Sequence, residues 1–229
     1  MIGNDVVDLG HCDSRIDERH RRFDERVFSA DERAWISSSG EPERVRWSLW
    51  ACKESAYKLR RRRDRHVVFA PSRMLVRPAA GQAMSVESDG SATRVLVDGD
   101  ASFVHAVAVD PVSERRGMLC AVASLPQAAS AHEATDAQGS PHAQVAQVVR
   151  DAPDAREPGR AVRELAISSI ARELCESPDA FHVERVHHMP VLLYRGRPLP
   201  GTLSLSHHGR FIAFAWTPAA QLGTGTGFR

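Results

Sequence analysis

The stretch Trp47 to Leu59, WSLWACKESAYKL, constrains the fold most, because it sets an acid and a base into an apolar helical face. At about 100° per residue, Trp47, Trp50, Ala51, Glu54, Tyr57 and Lys58 fall on one side, while Leu49, Cys52, Ala56 and Leu59 form a second apolar strip. The spacing therefore predicts a mostly buried helix. Burying a charge is costly unless it is paired or bound to a metal, so Glu54 and Lys58, one turn apart among tryptophans, need a reason. Two readings are open at this point. One is an i,i+4 salt bridge on a wet helix edge, worth only about 0.3–0.5 kcal/mol. The other is a site in which Glu54 binds a cation and Lys58 meets an anion.

The rest of the composition narrows the class. With 229 residues, 42% hydrophobic and 26% charged, the chain can bury a real core as one large domain or two small ones. A net charge of +1 leaves no global basic field for nucleic acid or membrane, so charge arguments have to be local. Cys12, Cys52, Cys120 and Cys175 lie far apart with no CxxC pair, which points to reduced thiols in a cytoplasmic setting and away from a disulfide framework or zinc site. No apolar run is long enough to predict a membrane span, and Asp5 and Asp8 stand where a signal peptide needs basic and then apolar residues.

Residues 2–9, IGNDVVDL, read as a short strand that points Asp5, Val7 and Leu9 to one face and Asn4, Val6 and Asp8 to the other. Asp5 thus points among apolar neighbours, as Glu54 does, whereas Asp8 beside Leu9-Gly10 reads as a turn cap. Residues 14–36 read as one or two amphipathic helices, with Ser29-Ala-Asp-Glu32 a capping box opening the second. The run Arg60 to Arg65 ends the WSLWACKESAYKL helix, either as cations suited to the negative pole of the helix or as an anion-binding lip. From Val67 to Leu125 the segments VVF, MLVR, TRVLVD, SFVHAVAVD and MLCAVASL predict an antiparallel sheet packed on the helices, an α+β arrangement. Residues 127–159 read as a flexible linker between a first half-domain, 1–126, and a second, 160–218, with 219–229 a tail. Residues 160–176 predict an amphipathic helix, followed by short strands and by TLSLSHHGRFIAFAW, two β runs hinged at His207-His208-Gly209. The segment FIAFAW is similar to FVHAVAV at 103–109, a hint that the halves repeat one unit.

Three stretches together resemble the phosphopantetheinyl transferase superfamily: GNDVVDL at 3–9, WACKESAYK at 50–58 and GRPLPGTLSLSHHGRFIAFAW at 196–216. In that family the first two motifs carry a magnesium site and the third holds coenzyme A. The motif order is that of the short, holo-acyl-carrier-protein synthase type, whereas the length suits the longer, surfactin-synthetase-activating type. Val7 stands where the long type usually has a second metal carboxylate. The resemblance thus implies a phosphopantetheinyl transferase fold built as a single-chain pseudodimer, with small antiparallel sheets packed on helices and the site between the halves.

It also implies transfer of phosphopantetheine from coenzyme A to a serine of an apo acyl or peptidyl carrier protein. Mg2+ would be held by Asp5 and Glu54, and adenosine 3′,5′-bisphosphate would be released. Asp5, Glu54 and Lys58 are the expected catalytic residues; Lys53, Arg197, Ser206 and His207 are expected to hold coenzyme A. Whether Asp8 joins the metal is open. Arg197 and His207 each have a plainer reading, as an exposed turn residue and a surface histidine, and His208 is read as surface. Adjacent His187-His188 read as structural, since neighbours on a strand face opposite ways. A local basic surface of Arg60 to Arg65, Arg44 and Arg46 would steer an acidic carrier. The alternative is a catalytically silent module of the same fold that binds coenzyme A or the carrier protein; a nucleic-acid binder is disfavoured by the short arginine run and balanced charge.

Overall fold

The computed structural model describes residues 1–14, 18–81, 83–125, 147–148 and 157–219. Strand β1 (Ile2–Asp8) comes first, then helices α1 (Glu18–Val27), α2 (Ala30–Ser38) and α3 (Pro42–Arg63). Strands β2 (Leu75–Pro78), β3 (Ala83–Ser88), β4 (Ser91–Gly99) and β5 (Phe103–Val109) follow, then the short helix α4 (Pro111–Arg116) and strands β6 (Leu119–Ser124) and β7 (Gln147–Val148). Helix α5 (Pro158–Glu173) and strands β8 (Phe181–Val186), β9 (Met189–Tyr194), β10 (Arg197–Pro198), β11 (Gly201–His208) and β12 (Phe211–Pro218) complete the order.

The fold is α+β. One sheet runs β1-β5-β4-β3-β2, a second runs β11-β12-β6-β7, and a third runs β10-β9-β8. All pairings are antiparallel except β6 with β7. Among the described residues no helix is long and apolar enough to cross a membrane.

Alternation along the strands gives each of the first two sheets a helix on one face and the other sheet on its back. Val7, Val104, Ala106 and Ala108 face α3 through Leu49, Cys52, Ala56 and Leu59. Ile212, Phe214 and Trp216 face α5 through Val162, Leu165 and Ile170. Between the sheets lie Ile2, Val107, Val109, Cys120 and Ala215 in one cluster, and Val6, Phe103, Val122, Phe211 and Ala213 in another. The resemblance between FVHAVAV and FIAFAW acquires a meaning here. Phe103 and Phe211 open the two matching strands, and their rings meet at 4.9 Å between centroids. Matching residues that touch one another are what a pseudo-twofold axis produces.

Several boundaries differ from the expectation. Strand β6 pairs with β12, Cys120 opposite Ala215 and Val122 opposite Ala213, so it belongs to the second unit, and the first closes with β5 instead of at 126. Its apolar residues are buried on both faces, and such a run reads the same in either sheet. Most of the expected linker, and residues 220–229 of the tail, fall outside the described residues. Within the linker range, β7 adds in parallel to β6 and α5 starts at Pro158, proline suiting a first helical position. VVF at 67–69 forms no strand, and β3 was not anticipated. His187 and His188 lie in the turn joining β8 to β9 and not on a strand, both with positive φ, 48° and 65°.

Helix α3 crosses β1 so closely that Gly3 has no room for a side chain. A Cβ there would stand 2.2 Å from the carbonyl oxygen of Ser55 and 2.7 Å from the amide of Leu59. Backbone atoms cannot yield as a flexible side chain can, so Gly3→Ala is expected to destabilise the protein by about 3 kcal/mol. Urea denaturation checks this, and an unchanged midpoint would show that the helix is not seated on the strand as described.

Candidate functional site

Helix α3 delivers Glu54 and Lys58 to the edge of β1, and the edge of β11 closes the same place from the second unit. Among the described residues strand β1 pairs only with β5, so its outward amides need other partners. They find them on alternate side chains of β11. The amide of Asn4 donates to Ser204 Oγ at 2.9 Å, that of Val6 to Ser206 Oγ at 3.3 Å, and that of Asp8 to His208 Nδ1 at 3.0 Å. The SLSHH motif thus binds the two halves by side-chain rungs.

Asp5 sits at the middle of this seam. Its Oδ1 accepts from Lys58 Nζ at 2.9 Å and from Ser206 Oγ at 2.9 Å. Lys58 Nζ also donates to the carbonyl of Asn4 at 2.9 Å. Among the described residues, neither Asp5 Oδ2 nor the Glu54 carboxylate has a hydrogen-bond or ion-pair partner. Burial raises the pKa of Glu54, Lys58 pulls it down and Asp5 pushes it up, for a net rise. The expected metal-site pair Asp5 and Glu54 and the base Lys58 are therefore brought together, with Lys58 bridging to Asp5 and not to Glu54.

The proposed coenzyme contacts fare differently. Lys53 is fully buried, and its three donors go to Glu32 Oε2 at 2.8 Å, Val27 O at 2.7 Å and Pro71 O at 3.0 Å, so it cannot reach a phosphate. The same Glu32 closes the expected capping box with Ser29 and accepts the amide of Val76 at 2.8 Å. Ser206 is 7% exposed and its hydroxyl is committed to Val6 and Asp5. His207 is exposed beside the site. Its pKa is lowered, first by partial burial and then by Lys58, against a raising pull from Asp5. Arg197 lies exposed on β10, and no contact links it to Asp5 or Glu54. His208 is not a surface residue: it is the third rung.

Asp8 stays apart from Asp5, as strand alternation requires. Its carboxylate accepts the amides of Gly10 at 2.9 Å and Arg210 at 3.0 Å, capping the β1 end against the β11–β12 turn. Gly209 turns there with φ 54°, and a Cβ on it would come within 2.5 Å of Asp8 Oδ2.

The arginines expected to form a basic surface are largely spent on the fold. Arg60 pairs with Asp89 at 2.6 Å, Arg61 covers Tyr57, Arg62 donates to the carbonyl of Leu203 and Arg63 reaches Asp110 at 3.5 Å. Arg44 donates to the carbonyls of Gly99 and Asp100, and Arg46 grips Asp24 at 2.8 Å. Burial lowers the Arg62 pKa to about 10.

Two residues escaped the sequence reading. Asn4 and His105 are buried back to back, Asn4 Nδ2 3.3 Å from His105 Nε2, and burial followed by Lys58 lowers the His105 pKa to about 3. A lone polar residue in the otherwise apolar strand FVHAVAV, and a polar Asn4 on the Val6 face of IGNDVVD, was the available signal. His11, Asp13 and His208 also cluster, with potential ligand atoms within 4.8 Å of one another. Both imidazoles, however, accept a backbone amide at Nδ1, so each neutral ring carries its proton on Nε2 and has no lone pair left for a cation.

Residues 1–108 match the model of the 4'-phosphopantetheinyl transferase superfamily. None of the curated proteins matches the chain. Among solved structures, the chain is similar to the holo-[acyl-carrier-protein] synthase (AcpS) of Thermotoga maritima. Identity is 18%, with 52% of this chain and 75% of that chain covered and a TM-score of 0.35, too loose a likeness to argue from.

Two outcomes test the assignments on α3. Removing one partner of a buried ion pair strands the other, so Lys53→Met is expected to cost about 3–5 kcal/mol in urea denaturation. A loss near zero would return Lys53 to the list of ligand contacts. For Glu54 the sign follows from its raised pKa: the folded protein holds this proton more tightly than the unfolded chain, so ionisation weakens the fold as pH rises. Glu54→Gln is therefore expected to raise the melting temperature of metal-free protein at neutral pH. The gain should vanish as pH falls below the ordinary value of 4.5, and a gain confined to acid pH would contradict the burial assigned to Glu54.

Proposed function

We propose that this chain, which belongs to the 4'-phosphopantetheinyl transferase superfamily, moves phosphopantetheine from coenzyme A to a serine of an apo acyl or peptidyl carrier protein. The observation that carries the reading is the Glu54 carboxylate beside Asp5 and Lys58, without a hydrogen-bond or ion-pair partner among the described residues, so that two carboxylates share one cation. The donor set fits Mg2+. Asp5 Oδ2 and Glu54 are hard oxygens, and magnesium commonly takes one or two carboxylates together with substrate phosphate. When bound, the ion would neutralise the coenzyme's pyrophosphate.

The protein's own groups would do the rest. Lys58, held between Asp5 and the carbonyl of Asn4, presents its ammonium where negative charge grows on the leaving phosphate. The serine oxygen bonds to the phosphorus bearing the pantetheine arm, the pyrophosphate P–O bond breaks, and adenosine 3′,5′-bisphosphate leaves with the electron pair. The serine proton passes to Glu54, directly or through a water on it. His207, exposed beside Lys58, is the proposed contact for the nucleotide's 3′-phosphate, and Arg197 a proposed outer one. One chain supplies both halves of this site, so a monomer suffices.

The test is to incubate the protein with coenzyme A, Mg2+ and apo carriers of several kinds, then weigh the carriers by mass spectrometry. A phosphopantetheine mass on the carrier serine is expected, and kcat should fall at least about 100-fold in Glu54→Gln. No added mass on any carrier would overturn the enzymatic reading in favour of a silent binding module. Full activity of Glu54→Gln would remove Glu54 from the chemistry.

A further inference from the structure

We infer that Ser206 is a positioning residue for the cation site: from the second half of the chain, it fixes which oxygen of Asp5 is offered to a metal. This rests on the cation reading above. A carboxylate can turn about its Cβ–Cγ bond and present either oxygen, so Lys58 alone, a donor on a long flexible side chain, does not set its orientation. Ser206 does, because its hydroxyl is itself held. The amide of Val6 donates to Ser206 Oγ at 3.3 Å, and the single hydroxyl proton is then directed onto Asp5 Oδ1 at 2.9 Å. The serine thereby bridges the side chain of Asp5 to the backbone of the next residue.

With Lys58 Nζ on the same oxygen, Oδ1 carries two donors, and Oδ2 has none among the described residues. The oxygen free to bind is thus selected by a residue 201 positions away in sequence. Ser204 supplies the internal comparison. It makes the adjacent rung, accepting the amide of Asn4 at 2.9 Å, and no bond joins it to Asp5. If Ser206 only glued the halves together, the two serines would be equivalent for metal binding.

The experiment uses full-length protein stripped of metal and titrated with Mn2+, free Mn2+ being read from its electron paramagnetic resonance signal, with no coenzyme or carrier present. Ser206→Ala is expected to weaken Mn2+ binding about tenfold, the usual cost of removing a group that orients a metal ligand. Ser206→Thr, which keeps the hydroxyl, restores it, and Ser204→Ala leaves it unchanged. Equal binding by Ser206→Ala and the unaltered chain overturns the inference while the cation reading stands. An equal loss in Ser204→Ala also overturns it, since the effect would then come from loosening the seam. No Mn2+ bound by the unaltered chain removes both. Should Ser206→Ala fail to fold by circular dichroism, Ser206→Cys, which keeps the volume and weakens the donor, carries the same comparison.

Discussion

The edge of β1 that no strand pairs with among the described residues is the constraint on which this architecture depends. An edge strand with buried amides cannot leave them unmet, since each orphan costs about 1–3 kcal/mol whereas a made bond contributes only about 1 kcal/mol net. Here the edge is closed neither by another backbone nor by solvent but by the alternate residues Ser204, Ser206 and His208 of β11. Strand period supplies the matching, because every second residue on one strand faces every second amide on the other. As a result the seam between the halves and the candidate site coincide. Asp5 lies between two rungs and takes its own bond from one of them.

Helix α3 shows how one turn separates two uses of the same side chain. Lys53 and Lys58 are both long cations flanking Glu54, yet they point to different partners. Lys53 turns toward Glu32, and its pKa is lowered by a burial that the glutamate only partly offsets. That pair locks α3 to the start of α2 and to β2 through one carboxylate that also caps a helix. Lys58, on the strand side, keeps partial access to solvent, with 27% of its side chain exposed, and so remains able to meet a ligand. Full burial serves rigidity at Lys53, partial burial leaves Lys58 open to the ligand proposed for it, and the rigid pair keeps the helix from shifting beneath Lys58.

How much of this was legible follows from the range of each signal. Glu54, Lys58 and Asp5 could be read locally, because a helix period and a strand period each placed a charge among apolar neighbours. The capping box Ser29–Glu32 was local too, and it formed as written. Lys53 defeated the reading because its partner lies 21 residues away on another helix, and a motif lysine next to a glutamate gives no sign of that. The rungs were invisible for the same reason on a larger scale: Ser206 and His208 meet residues 200 positions upstream, and a serine awaiting a buried amide is spelled like one awaiting a phosphate. Strand β6 was assigned to the wrong unit because a strand buried on both faces carries no alternation to say which neighbour it has.

The charge distribution leads to the same place as the geometry. A chain with net charge +1 and a run of arginines invites a reading of steering, but Arg60, Arg62, Arg63, Arg44 and Arg46 are bound to carboxylates or carbonyls of the chain itself. A guanidinium held in this way has its direction set by the fold and contributes little attraction beyond its partner. Glu54 is the opposite case. Around it stand one cation already shared with Asp5, an aspartate that repels it, and burial that penalises its charge. Net compensation is lacking at this point of the seam, and a positive ligand that reached both carboxylates would relieve the repulsion and the burial penalty together. Lys53, Glu32 and the β11 rungs hold the backbone on which these charges are placed.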